Sequence, residues 1–204
     1  MSLSSFLAAL IDRFRAWRSP TARTAIERQE AYLEDKPVTE RRWETHDTPE
    51  GPVHTRAATL PPAAETVEPL SDEAAAAIAQ ASAMTLRFVH DHVRGFDAPN
   101  WSLQDLDDAF AGWMAHGDKQ NCPPDAVVQI VGAAFGEHCI RTLGMRWVTL
   151  TDADGTDVAI EGPGNGQRYE TLRSFPFAAV GKRIDAGETG FLVAMYRVLQ
   201  ADAA

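Results

Sequence analysis

Arg146-Trp-Val-Thr-Leu-Thr151, Asp152-Ala-Asp-Gly155 and Thr156-Asp-Val-Ala-Ile-Glu161 carry the clearest sign of fold class in the chain. Across these runs the period turns from helical towards alternating, most clearly in Val148-Thr-Leu-Thr151, which is the period of a half-buried strand. The four residues between them are good turn formers, so the segment predicts an antiparallel hairpin near 146–161. Just upstream the period is helical. Pro123-Pro124 opens a helix that runs to a Gly144 C-cap. Gly132 and Gly136 stand one turn apart on it. Each Gly costs a helix about 1 kcal/mol relative to Ala, so the pair predicts close approach of another element on that face.

Upstream, Ser71 caps a helix with Asp72 and Glu73 in its first turn, reaching to about Val93 and stopped by Gly95. Ser102-Leu-Gln-Asp105 resembles a capping box, and the helix it starts brings Leu103, Leu106, Phe110, Trp113 and Met114 into one stripe. Beyond the hairpin lie a Gly162–Gly166 loop and a third strand over 169–173. A helix around Ala178–Ala186 follows Phe175-Pro-Phe177, and a last helical stripe carries Phe191, Leu192, Met195, Val198 and Leu199. The expected fold is α+β, with helices packed on a small antiparallel sheet.

The N-terminal third differs in character. Leu3, Phe6, Leu7, Leu10, Ile11, Phe14 and Trp17 recur at helical spacing, with Arg13, Arg15 and Arg18 beside them. Ser19-Pro20 restarts a second helix that ends near residue 35. Prolines then punctuate residues 36–70, where Val38–Thr45 and Val53–Leu60 read either as short strands or as part of a linker. The expected organisation is a helical arm over 1–35, a Pro-rich linker or short strands over 36–70, and a compact domain over 71–204.

Composition narrows the function classes. The 204 residues carry a net charge of −10, and residues 61–204, with ten basic and twenty acidic side chains, carry all of it. An acidic body repels phosphate backbones, so nucleic acid is not expected as a partner. Cys122 and Cys139 are too sparse for a disulfide scaffold and read as reduced thiols of a cytoplasmic protein. No run approaches the roughly 18–20 apolar residues of a membrane span, although residues 1–18 could lie on a membrane surface.

No constellation in the sequence demands chemistry. Asp152, Asp154 and Asp157 suggest a calcium loop, but their glycine and flanking strands fit a hairpin turn instead. His116, Cys122, His138 and Cys139 follow no zinc-ligand spacing, and His90 and His92 lie on nearly opposite sides of their helix. No metal or cofactor is expected. Glu137 and Arg141 read as an i,i+4 ion pair, and Gly162–Gly166 has no Lys-Ser/Thr to make it a phosphate loop. Six Asp against one Lys between Asp97 and Asp125 read as a solvated helix face or a landing site for a basic partner.

Several landmarks occur together in a fixed order. They are Gly132-Ala-Ala-Phe-Gly-Glu-His138, Leu143-Gly-Met-Arg-Trp-Val148, Asp152-Ala-Asp-Gly155, Phe175-Pro-Phe177, Lys182-Arg-Ile184 and Tyr196. This order resembles the bacterial family catalogued as domain of unknown function 3806, over about residues 100–200. The resemblance implies a domain and a fold class but no activity.

The expectation is therefore a non-enzymatic protein-binding or accessory module, for example of an immunity type. Phe6, Phe14 and Trp17 of the arm, together with Trp147, Glu137, Lys182 and Arg183, are the candidate binding residues. The alternative is a small-ligand site or enzyme with its pocket around Trp147, Glu137 and Lys182-Arg183.

Overall fold

The computed structural model describes residues 40–48, 51–59, 65–152, 155–166 and 170–203. The expected helices over 3–17 and 19–35 lie outside the described residues. The stretch expected as linker or short strands contains strands β1 (Glu40–Thr48) and β2 (Gly51–Thr59), paired antiparallel from Glu40–Thr59 to Thr48–Gly51.

A second sheet has the order β3-β4-β5-β6, all antiparallel. Its strands are β3 (Thr66–Pro69), β4 (Arg146–Asp152), β5 (Gly155–Pro163) and β6 (Thr171–Ser174). The deciding hairpin is β4–β5, which closes with Asp152 opposite Gly155 while Asp152 Oδ1 accepts the Gly155 N–H at 3.0 Å. The edge strand β3 comes from the Pro-containing stretch just before the first helix, and Pro69 is its last residue. Pro is tolerated there because the outer side of an edge strand needs no donor.

The helices are α1 (Asp72–Ala83), α2 (Thr85–His92), α3 (Leu103–His116), α4 (Pro124–Leu143), α5 (Pro176–Ala186) and α6 (Leu192–Ala203). One helix was expected between Ser71 and Val93; the structure divides it at Met84. The Thr85 hydroxyl bonds the Ser82 carbonyl at 2.7 Å and the Met84 N–H turns back to Ala81 O at 3.1 Å. Such local bonds compete with the helical ladder, and the Ala-rich pattern gives no sign of them. The capping box at Ser102 forms in both directions, with Asp105 in the role usual for Glu.

Helix α4 is the axis of the domain. Val127, Val128, Val131, Ala133, Ala134, Phe135 and Cys139 are all buried, so the helix has packed neighbours nearly all round. Its two glycines lie where neighbours come closest. A Cβ at Gly132 would meet Phe177 of α5 at 2.6 Å, and one at Gly136 would meet the Trp147 ring of β4 at 2.1 Å. The expected close approach is therefore made by two elements. Among the described residues no helix is long and apolar enough to cross a membrane.

Candidate functional site

Trp147 and Glu137 come together. The Trp147 indole N–H donates to Glu137 Oε1 at 2.8 Å, and its ring stacks on Phe177 with centroids 5.6 Å apart. The ring is thus fixed on three sides, by Gly136, Phe177 and the carboxylate. Arg141 does not pair with Glu137 as expected; its guanidinium reaches His138 Nδ1 at 3.3 Å while the indole takes the carboxylate. Local i,i+4 attraction is worth only about 0.2–0.5 kcal/mol, and a half-buried indole N–H needing an acceptor outweighs it. Arg183 of α5 pairs with Glu188 and lies 5.6 Å from the centroid of Phe191, and Lys182 is exposed on the same helix. Phe6, Phe14 and Trp17 lie outside the described residues.

An open concavity among the described residues lies elsewhere, and none of Trp147, Glu137, Lys182 or Arg183 lines it. It is a groove of about 570 Å³ bounded by α2, α3, the turn after α3 and the first turns of α4. Its shape starts with Gly112. A Cβ there would lie 2.3 Å from the His92 carbonyl oxygen, so only Gly lets α2 and α3 meet backbone to backbone. His92 Nδ1 then reaches Phe88 O at 2.8 Å and its ring packs on Phe88 at 4.6 Å, leaving both on the groove wall.

The turn after α3 is wrapped on Trp113. The Trp113 indole N–H donates to Cys122 O at 2.9 Å, and the Lys119 ammonium donates to Trp113 O while sitting 3.3 Å from the centre of its ring. Asp118 ties the turn by accepting the backbone N–H of Gln120 at 2.9 Å and of Asn121 at 3.3 Å. Those two donors hold its carboxyl below the usual carboxylate range. Burial lowers the Lys119 pKa. The Cys122 thiol is pushed up by burial and by Asp91, against the opposing pull of Lys119. A thiol raised in this way is a poor nucleophile at neutral pH. Met84, Phe88, Ala126 and Ile130 supply apolar lining, and Asp91 and Asp118 supply carboxylates. Among the described residues no group of three His, Cys, Asp or Glu could hold a metal ion.

Two acidic residues behave in ways the sequence reading missed. Asp107, one of the six in the acidic stretch, is only 3% exposed. Its Oδ2 accepts the Val193 N–H at 3.2 Å, satisfying the start of α6, and its Oδ1 has no partner among the described residues. The signal was present, since Asp107 stands four residues after Leu103 and three before Phe110, inside the apolar stripe. Glu161 on β5 is 7% exposed between Arg146 of β4 and Arg173 of β6, each directly opposite it in register. The bonds are 2.7 Å from Arg146 and 3.1 Å from Arg173, which also reaches Glu65 at 2.5 Å. The Arg146 hydrogen bond lowers the Glu161 pKa against the opposing effect of burial, with Arg173 adding to the lowering.

A half-exposed aromatic group completes the surface. Trp101 lies 6.4 Å from His138 and His138 4.9 Å from Tyr196, bringing α3's leading loop, α4 and α6 together. Burial, with Arg141 beside it, lowers the His138 pKa and favours the neutral ring.

These features define an α+β domain with a helical layer on a four-stranded antiparallel sheet and a groove among its helices. Residues 112–196 match the model of the family described as Domain of unknown function (DUF3806). The matched segment begins at Gly112, the contact glycine of the groove, and ends at Tyr196. No curated protein and no solved structure matches the chain.

Proposed function

We propose that this protein is a non-enzymatic protein-binding module that receives a short partner segment in the α2–α3–α4 groove. The observation that carries the reading is the groove itself: Met84, Ala126 and Ile130 offer apolar surface beside Asp118 and Asp91, the latter shared with Arg87 at 3.5 Å. The body that holds it, residues 61–204, has twenty acidic side chains to ten basic. A segment with apolar anchors and basic flanks complements both properties, and acidic surroundings speed its approach. Met84, 45% exposed at the groove, is a flexible apolar side chain suited to such a contact. An accessory or immunity-like role beside a basic target protein is one form this binding would take.

The test is capture of partners by the full chain in its native host, then titration of the identified segment into isotope-labelled protein. The expected result is a basic, apolar segment whose chemical-shift changes centre on Met84, Ala126 and Ile130. Binding should weaken at high salt, and Asp91→Lys should reduce affinity roughly tenfold by reversing a groove charge. A partner whose shifts map to another face, or saturation of the groove by a small metabolite instead, would refute the reading.

A further inference from the structure

The β3–β6 sheet is buried on two faces, and the helices cover one. Side chains alternate along a strand, and residues directly opposite in antiparallel strands share a face. Trp147 with Ile160, and Thr149 with Val158, therefore face the helices, as the packing of Trp147 on Phe177 requires. Val148 with Ala159, and Leu150 with Val67, belong to the other face. There Val148 is 1% exposed, Leu150 6% and Ala159 0%. None of the three is in the core cluster that joins Val158, Ile160 and Leu172 to the helices.

In-plane neighbours do not hide the outer atoms of a sheet residue, because side chains stand roughly perpendicular to the sheet and water approaches from above. Values near zero need a layer on top. Glu161 lies on this same face, since it is opposite Arg146 and Arg173, and its two arginines supply the compensation that a covered carboxylate requires.

We propose that the apolar stripe of residues 3–17 is that layer. The chain before β3 is long enough and enters the sheet at its β3 edge, beside the face to be covered. Within that stretch the β1 sequence ERRWETHDT is mainly polar, and the β2 sequence GPVHTRAAT has Val53 as its one large aliphatic residue, so neither offers a stripe of large apolar side chains. Residues 3–17 place Leu3, Phe6, Leu7, Leu10, Ile11, Phe14 and Trp17 at helical spacing. A helix of that length is about 22 Å long, close to the roughly 23 Å of a seven-residue strand such as β4. Charge agrees as well, because Arg13, Arg15 and Arg18 against Asp12 make residues 1–18 net positive beside an acidic body. The arm is then a structural layer of the domain, apart from the groove proposed for partner binding.

The test uses the full chain with Phe14→p-benzoylphenylalanine, irradiated and mapped by peptide mass spectrometry. The expected adducts join the arm to residues 146–163 within one chain, in a yield that dilution leaves unchanged. Leu10→p-benzoylphenylalanine gives the same map if the first variant fails to fold. Adducts on α1–α6, adducts found only between two copies, or adducts that form only with anionic vesicles overturn the proposal. So does the absence of adducts from a variant with native circular dichroism.

Discussion

Gly136→Ala tests the packing argument most sharply, because propensity and packing push it in opposite directions. Its new Cβ would lie 2.1 and 2.2 Å from Trp147 Cζ2 and Cη2. Carbon atoms prefer about 3.5–4.0 Å, so the ring must retreat by roughly 1.5 Å. It has little room, being stacked on Phe177 and held to Glu137 by a 2.8 Å hydrogen bond. Overpacking costs about 1–3 kcal/mol, and loss of the indole hydrogen bond adds about 0.5–1.5 kcal/mol. Against this, Ala gains about 1 kcal/mol over Gly in a helix interior. The net expectation is a loss of about 0.5–3.5 kcal/mol, read as a lower midpoint in urea unfolding followed by far-ultraviolet circular dichroism. With Trp147→Ala the obstruction is gone, and Gly136→Ala should stabilise that background by about 1 kcal/mol. The reversal of sign is the signature of a ring-specific clash. Stabilisation by Gly136→Ala in the otherwise unchanged protein would show that Trp147 does not crowd this face of the helix.

Further outcomes follow from the buried charges and thiols. The folded pKa of Glu161 lies below its ordinary value of 4.5, mainly through the Arg146 hydrogen bond. Its ionised form therefore adds stability that is complete above that value and is lost as pH falls through the lowered folded pKa. Glu161→Gln should destabilise the protein at pH about 7 and flatten its stability profile below pH about 4.5, as measured by urea midpoints across that range. Asp107→Ala should cost about 1–2 kcal/mol, by removing the carboxylate that caps α6 at Val193, whereas Asp107→Asn keeps an acceptor oxygen and should cost less. Cys139, buried and pushed up to about 12, should resist thiol reagents at pH about 8 until the protein unfolds. Half-buried Cys122 should react slowly in the folded state. Equal, rapid labelling of both thiols would contradict the burial of Cys139.

Elements whose cause is local are legible in the order of the residues. The β4–β5 hairpin is legible because alternation and an Asp-Ala-Asp-Gly turn act within sixteen residues, and register follows once the turn is placed. The capping box at Ser102, the Gly144 cap and the need for close contact at Gly132 and Gly136 are local statements too, and the family landmarks travel with them. The rest depends on contacts between distant segments. A glycine in a helix announces an intruder but cannot say that it is Phe177 at one position and Trp147 at the next turn. Asp107 looks like one more solvated carboxylate until the α6 N-terminus arrives from 86 residues away to take its oxygen. Glu161 reads as the polar end of a strand, and only the register of β4, β5 and β6 brings an arginine to each side of it. The groove has no sequence signature, since it is the space left when Gly112 lets α2 touch α3. The common reason is physical. Periodicity and capping depend on neighbours along the chain, whereas the protonation and packing of a side chain depend on groups that distant segments bring to it.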